Sequence, residues 1–251
     1  MTDTPPVLAR RLFAEFLGTG LLVTVVVGSG IAAQQLSPND VGLQLLENST
    51  ATAFGLAVLI LMLGPVSGAH FNPVVSLADW FLGRRAGARF TLPEVGAYTV
   101  AQCAGAIGGA VLANVMFDVG QHFSTKHRSS GGHLVGELVA TAGLIALIFA
   151  LARTRRGVLA APAVGAYIGA AYWFTSSTSF ANPAVTVGRM FTDTFAGIAP
   201  SSVLPFIGMQ LLGAAVGTGV VLVLYPDIGQ RADDVVIPHS NAHRRTVEAS
   251  R

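Results

Sequence analysis

Two asparagine–proline pairs, Asn72-Pro73 and Asn182-Pro183, lie inside long uncharged stretches of this 251-residue chain. Asparagine is a good helix N-cap and proline suits the first helical turn, so each pair reads as the start of a short helix. The residues that follow, 74–81 and 184–191, allow about two turns, too few to cross a bilayer. Backbone that breaks at membrane depth is tolerated only around a cavity lined by water or protein. Either pair alone reads equally well as an exposed turn. Two pairs in matched apolar settings favour a cavity with two half-helices meeting head to head, their positive dipole ends together.

Glu15 and Glu137 are the other chemistry-bearing residues, carboxylates inside apolar stretches. Such groups are expected to face protein rather than lipid. Proton or ion coupling is one role. The expected role is structural: accepting hydrogen bonds from loop N–H groups beside each half-helix. His122, His127 and His133 share one segment, but their loose spacing suits solvated loop residues better than a metal site or a pH sensor. Paired acid–base groups, nucleophile–His–Asp sets, phosphate loops and metal clusters are not visible, so neither an enzyme nor a metal or cofactor is expected. The single cysteine, Cys103, excludes an intrachain disulfide framework and a cysteine-based zinc site.

The elements around these residues are membrane spans. Hydrophobic residues make up 52% of the chain and charged ones 11%, against about 25% in soluble domains. Mean hydropathy is +0.60. A net charge of +2, spread thinly, excludes a nucleic-acid surface and leaves the lipid bilayer as the expected partner. Six apolar stretches stand out, at 16–33, 48–69, 95–117, 138–152, 158–188 and 194–226. The second, read through Asp79, and the fifth are too long for one span, and each surplus holds an Asn-Pro pair. With the N-terminus inside, 12 of the 15 Lys and Arg fall on the inner side; only Lys126, Arg128 and Arg189 fall outside. That bias puts both termini in the cytoplasm. Residues 1–9 read as a disordered tail, 10–226 as the membrane domain and 227–251 as a polar tail.

The domain repeats itself, about 10–120 and 132–226. Ala14-Glu15-Phe16-Leu17-Gly18-Thr19 matches Gly136-Glu137-Leu138-Val139-Ala140-Thr141. His70-Phe71-Asn72-Pro73 matches Phe180-Ala181-Asn182-Pro183. Gln102-Cys103-Ala104-Gly105-Ala106 matches Gln210-Leu211-Leu212-Gly213-Ala214, and these glutamine–glycine runs are expected to mark close helix crossings. Three spans per repeat invert the second half relative to the first.

These motifs resemble the major intrinsic protein family, the aquaporins and aquaglyceroporins, over about residues 10–226. The resemblance rests on the Ala-Glu-Phe-Leu-Gly-Thr opening, on Ser67-Gly68-Ala69-His70-Phe71-Asn72-Pro73, and on Ala181-Asn182-Pro183-Ala184. It implies an all-α integral membrane fold of six tilted helices and two re-entrant half-helices, one pore per subunit, and a homotetramer in the plasma (inner) membrane. It also implies that Asn72 and Asn182 offer amide donors to passing solutes. Val74 stands where alanine is usual, as in a bacterial branch of the family that also lacks the filter arginine. Counting twenty residues before the first asparagine, and twelve before, three before and three after the second, assigns the outer constriction to Thr52, Ala170, Ser179 and Val185. Val185 takes the place of the arginine, which implies a wide mouth without a fixed cation. Two settings remain open to Arg189, the outer vestibule or the surface. Asp79, its counterpart, falls at the inner mouth and is expected to pair with Arg84 or Arg85. The implied activity is passive conduction of small uncharged solutes: glycerol, urea or metalloid hydroxides such as arsenite, with some water. The alternatives are a water-selective aquaporin and, less favoured, a coupled secondary transporter, which would need an ion-binding cluster.

Overall fold

The computed structural model describes residues 6–84 and 90–226. Its elements are α1 (Leu8–Leu36), α2 (Val41–Ser67), α3 (Pro73–Gly83), α4 (Leu92–Met116), α5 (Gly131–Arg153), α6 (Ala160–Phe174), α7 (Pro183–Arg189) and α8 (Pro200–Leu224). Among the described residues six helices are long and apolar enough to cross a membrane: α1, α2, α4, α5, α8, and α6 together with the 3₁₀ turn Gly157–Leu159 ahead of it. The fold is all-α, with α3 and α7 as the two short helices. The long fifth apolar stretch divides as its Asn-Pro pair requires, into α6, a connecting segment and α7.

Several boundaries differ from the sequence reading: α2 begins at Val41, ahead of the stretch expected from 48, and α5 at Gly131, ahead of the one expected from 138. Helix α1 begins at Leu8, inside the expected tail, and carries Arg10, Arg11 and Glu15 on its first turns. Arg11 has somewhere to go, because its guanidinium bonds Glu94 at 2.8 Å and the Tyr98 hydroxyl at 2.8 Å. Helix α3 runs 11 residues, a turn longer than expected, whereas α7 has the expected two turns in 7. The expected C-terminal tail, Arg85 and Arg89 lie outside the described residues.

The packing follows the repeat. Helix α1 lies mainly on α4, and α5 mainly on α8, while α2 packs on both α1 and α6. Large apolar side chains such as Phe54, Val100, Leu204 and Val223 point outward and are exposed, whereas Glu15, Gln102, Glu137 and Gln210 are fully buried. That inside-out distribution suits a molecule whose surroundings are lipid.

Glycines set the closest crossings. Gly105 and Gly109 of α4 lie directly on the carbonyl oxygens of Phe16 and Gly20 in α1. Their repeat mates Gly213 and Gly217 of α8 lie on the carbonyls of Leu138 and Ala142 in α5. A Cβ at any of the four would overlap backbone, so the helices would have to separate. At Gly108, on the open side of α4, a Cβ would meet nothing within 4 Å. Gly109→Leu should therefore destabilise by at least the roughly 1–3 kcal/mol of core overpacking, and Gly108→Leu by little. Thermal unfolding in detergent, followed by size-exclusion, tests this; equal behaviour of the two variants would contradict the crossing geometry.

Candidate functional site

The half-helices are capped as their sequences require. Asn72 sits in extended backbone (φ −155°, ψ 118°) ahead of Pro73, and its Oδ1 accepts from Val74 N at 3.1 Å. Asn182 (φ −158°, ψ 113°) precedes Pro183, and its Oδ1 accepts from the N–H groups of Ala184 at 2.9 Å and Val185 at 3.2 Å. The two amides then cross. Asn72 Nδ2 donates to the Ala181 carbonyl at 2.8 Å, and Asn182 Nδ2 donates to the Phe71 carbonyl at 2.7 Å. Each half-helix start is thus tied to the residue before the other. A side-chain amide carries two N–H groups, so this tie leaves one N–H on each asparagine, and both residues line the same cavity.

The chain entering each half-helix is strained in the same way in both repeats. Ala69 (φ 48°) and Phe71 (φ 50°) correspond to Ser179 (φ 49°) and Ala181 (φ 47°), all non-glycine residues in the left-handed region. Such conformations cost about 1–3 kcal/mol each and persist only where the surroundings enforce them. The buried carboxylates do so. Glu15 accepts from His70 N at 3.0 Å, Phe71 N at 2.7 Å, Ser67 Oγ at 2.6 Å and Gln102 Nε2 at 2.7 Å. Glu137 accepts from Phe180 N at 2.9 Å, Ala181 N at 2.9 Å and Gln210 Nε2 at 2.6 Å. The glutamines also reach the half-helices, Gln102 to Ser76 Oγ at 3.2 Å and Gln210 to Thr186 Oγ1 at 2.9 Å. Ser76, Thr186 and the donor role of the glutamines escaped the sequence reading. Their equivalent spacing in the two repeats was the available signal.

Between the half-helices runs a cavity of about 80 Å³, against the roughly 10–15 Å³ that one water needs. Leu22, Val26, Leu56, Ile60, Leu144, Ile148, Val164 and Ile168 give it an apolar wall. The segments Gly68–Asn72 and Ser179–Asn182 cross that wall with polar backbone and the two asparagine amides. An apolar tube with a few fixed polar groups lets a small solute pass while replacing part of its hydration.

Thr52, Ser179, Val185, Tyr172 and Arg189 line one end. The Thr52 and Tyr172 hydroxyls are 3.3 Å apart. Arg189 is buried, its Nε donates to the Ala196 carbonyl, and its guanidinium carbon lies 3.5 Å from the Phe180 ring centroid. Towards the other end stands His70, the repeat mate of Phe180, with Nδ1 3.0 Å from Ser76 Oγ and Nε2 3.7 Å from Asp79 Oδ2. Arg84 lies over the rings of Trp80 and Phe81, at 5.1 and 4.3 Å.

Comparisons with known proteins agree with this architecture. Residues 3–179 match the model of the major intrinsic protein family. The chain is 51% identical to the aquaglyceroporin AqpS of Rhizobium meliloti over 82% of its length and 86% of that protein's. It is 31% identical to aquaporin-6 of Mus musculus over 88% of its length and 74% of that relative's. The chain belongs to the major intrinsic protein family. The X-ray structure of the aquaglyceroporin from Plasmodium falciparum shares the fold, with a TM-score of 0.67 at 21% identity over 88% of this chain and 98% of that one.

For a major intrinsic protein, three of the four residues assigned to the outer constriction line the cavity and one does not. Thr52, Ser179 and Val185 do. Ala170 is exposed on the outer face of α6. The count of twelve residues back from Asn182 overshoots by two, and Tyr172 holds the inward position. Nor does the mouth of this major intrinsic protein lack a cation. Arg189 reaches it from one turn beyond Val185, so its surface setting is excluded. Between α4 and the start of α5, His127 Nδ1 lies 3.2 Å from Ser201 Oγ and His133 Nδ1 3.0 Å from Ser130 Oγ. Among the described residues no three His, Cys, Asp or Glu side chains gather as metal ligands would. Nearby Asp193 is held below the usual carboxylate range by the Thr125 N–H and hydroxyl it accepts from.

These positions give a sharp contrast. Ala170→His should leave the glycerol-to-water permeability ratio unchanged, because the ring would point away from the cavity. Tyr172→Ala should raise the ratio several-fold by removing a ring from the mouth. Stopped-flow light scattering on matched proteoliposomes measures both, and a large effect at Ala170 with none at Tyr172 would restore the count of twelve.

Proposed function

We propose that this chain is a passive transmembrane channel for small uncharged solutes, admitting glycerol-sized molecules as well as water, with urea and metalloid hydroxides such as arsenite in the same size class. The observation that carries the reading is the cavity lined by both asparagine amides and by both repeats. A solute oxygen can accept from Asn72 and Asn182 while its carbon side rests on the apolar wall. Two half-helix starts and Arg189 put positive charge along the path and oppose cations. Similarity to a relative named an aquaglyceroporin supports solutes larger than water. Occupancy of the mouth by Tyr172 and Arg189 is the one feature favouring the narrower, water-selective alternative. Coupled transport is disfavoured, because Glu15 and Glu137 already accept hydrogen bonds from the loops they hold. A homotetramer in the plasma membrane, with both termini cytoplasmic, completes the proposal.

Stopped-flow measurement of water, glycerol, urea and arsenite entry into proteoliposomes tests it. Faster, non-saturating entry of glycerol than into protein-free vesicles is the expected result. Water flux without entry of the three larger solutes would select the water-selective alternative. Uptake that depends on an ion gradient would overturn the channel itself.

A further inference from the structure

The two ends of the cavity treat arginine differently. At the His70 end Arg11 lies over the Phe90 and Tyr98 rings, at 5.5 and 5.2 Å, and is neutralised by Glu94 at 2.8 Å. At the other end two guanidiniums share one ring, Arg189 at 3.5 Å and Arg128 at 5.5 Å from the Phe180 centroid. Among the described residues neither has a carboxylate oxygen within 4.0 Å. Their hydrogen bonds go to neutral carbonyls, Arg189 to Ala196, and Arg128 to Gly197 at 2.8 Å and Phe195 at 3.0 Å. Lys126 is close enough that burial, followed by the Arg128 charge, pushes its ammonium below the ordinary range, with Arg189 adding to the effect and Asp193 opposing it.

The Glu137 carboxylate favours both cations, but from beyond ion-pair distance, and a buried cation with no counter-charge in contact is costly. Arg189 is 2% exposed, yet it borders the cavity. Ser179, 3% exposed, lines the same cavity and has an Oγ with no hydrogen-bond partner. A guanidinium and an unused hydroxyl donor, on two residues that line one cavity, supply what a small oxyanion needs, two or more donors and a compensating charge.

We propose that the outer mouth holds a binding site for a small singly charged oxyanion, built by Arg189 and Ser179, and that an anion seated there slows the passage of neutral solutes. The occupancy of the site rests on its own geometry; the slowing rests on the channel reading above. Arg128 and Lys126 raise the local anion concentration without touching the seated ion.

Methanesulfonate is a suitable probe because it stays ionised and carries three acceptor oxygens. Titration calorimetry on the detergent-solubilised protein should detect its binding against a gluconate background of constant ionic strength. Binding should weaken at least about tenfold in Arg189→Leu, the scale expected for losing a charge-assisted contact, and measurably in Ser179→Ala, which removes one oxygen and little packing. Arg189→Lys should retain part of it. In proteoliposomes, replacing gluconate by methanesulfonate on both sides should lower glycerol entry saturably in the wild type, and Arg189→Leu should lose that response, whatever its own basal rate. No binding to the wild type, or binding unchanged in both Arg189→Leu and Ser179→Ala, would overturn the site. Binding without slowing of glycerol would overturn the regulatory half. Failure of the wild type to pass any solute would instead count against the channel, leaving the calorimetry to decide the site.

Discussion

Glu137→Ala is expected to leave little folded protein. The carboxylate accepts two backbone N–H groups and the Gln210 amide, and it is fully buried. Hydrogen bonds to a charged group contribute about 1.5–3 kcal/mol each. Their loss strands the Phe180 and Ala181 N–H groups away from water, in a segment where Ser179 and Ala181 already sit in the left-handed region. Together these terms approach the whole roughly 5–15 kcal/mol by which domains are stable. Glu137→Gln keeps one acceptor oxygen and nearly the same volume, so it should be milder, with intermediate yield and unfolding temperature. The measurement is recovery of monodisperse protein after solubilisation, with its midpoint of thermal unfolding. Should Glu137→Gln fold normally and yet abolish solute entry, the carboxylate would have a transport role, and its structural role would fall.

Much of this site was legible because local and global signals coincided. Asn72-Pro73 and Asn182-Pro183 combine a cap and a first-turn residue, chemistry that acts within four residues and so can be read from spacing. Glu15 and Glu137 were legible by energetics, since a carboxylate in an apolar span must find donors and the strained loops supply them. Harder to see was what depends on contacts across the repeat. Gln102 and Gln210 read as markers of close crossings, which Gly105 and Gly213 confirm, but their amides lie on carboxylates 87 and 73 residues away in sequence. The left-handed residues gave no signal, because alanine, phenylalanine and serine have no preference for that region; tertiary hydrogen bonds impose it.

The mouth failed for a geometric reason. Each residue turns a helix by about 100°, so a miscount of two rotates the assigned side chain by roughly 200°, onto the opposite face. Hence Ala170 is exposed and Tyr172 lines the cavity. Arg189 shows the converse. Four residues past Val185 is close to one full turn, so a cation absent at one position is supplied from the next turn of α7.

Asn182→Leu should cut solute permeability by more than an order of magnitude in protein that still inserts. The asparagine has three tasks, capping α7 through Oδ1, tying α7 to the Phe71 carbonyl through Nδ2, and presenting its remaining N–H to the cavity. Leucine has similar bulk and performs none of them. Loss of the cap costs about 1 kcal/mol, which a six-span domain tolerates. Loss of the donor acts on transport directly, because a solute oxygen that has left water finds one partner fewer at the midpoint. An unmade hydrogen bond of about 1–3 kcal/mol corresponds to roughly 5- to 150-fold in rate. Asn182→Asp separates the tasks: it keeps the capping oxygen but removes both N–H groups, so it should fold better than Asn182→Leu and still conduct poorly. Stopped-flow entry of glycerol, normalised to inserted protein, reads both variants. Wild-type permeability in a well-inserted Asn182→Leu protein would mean that solutes do not pass between the half-helices, and the conduit would have to be sought elsewhere in the fold.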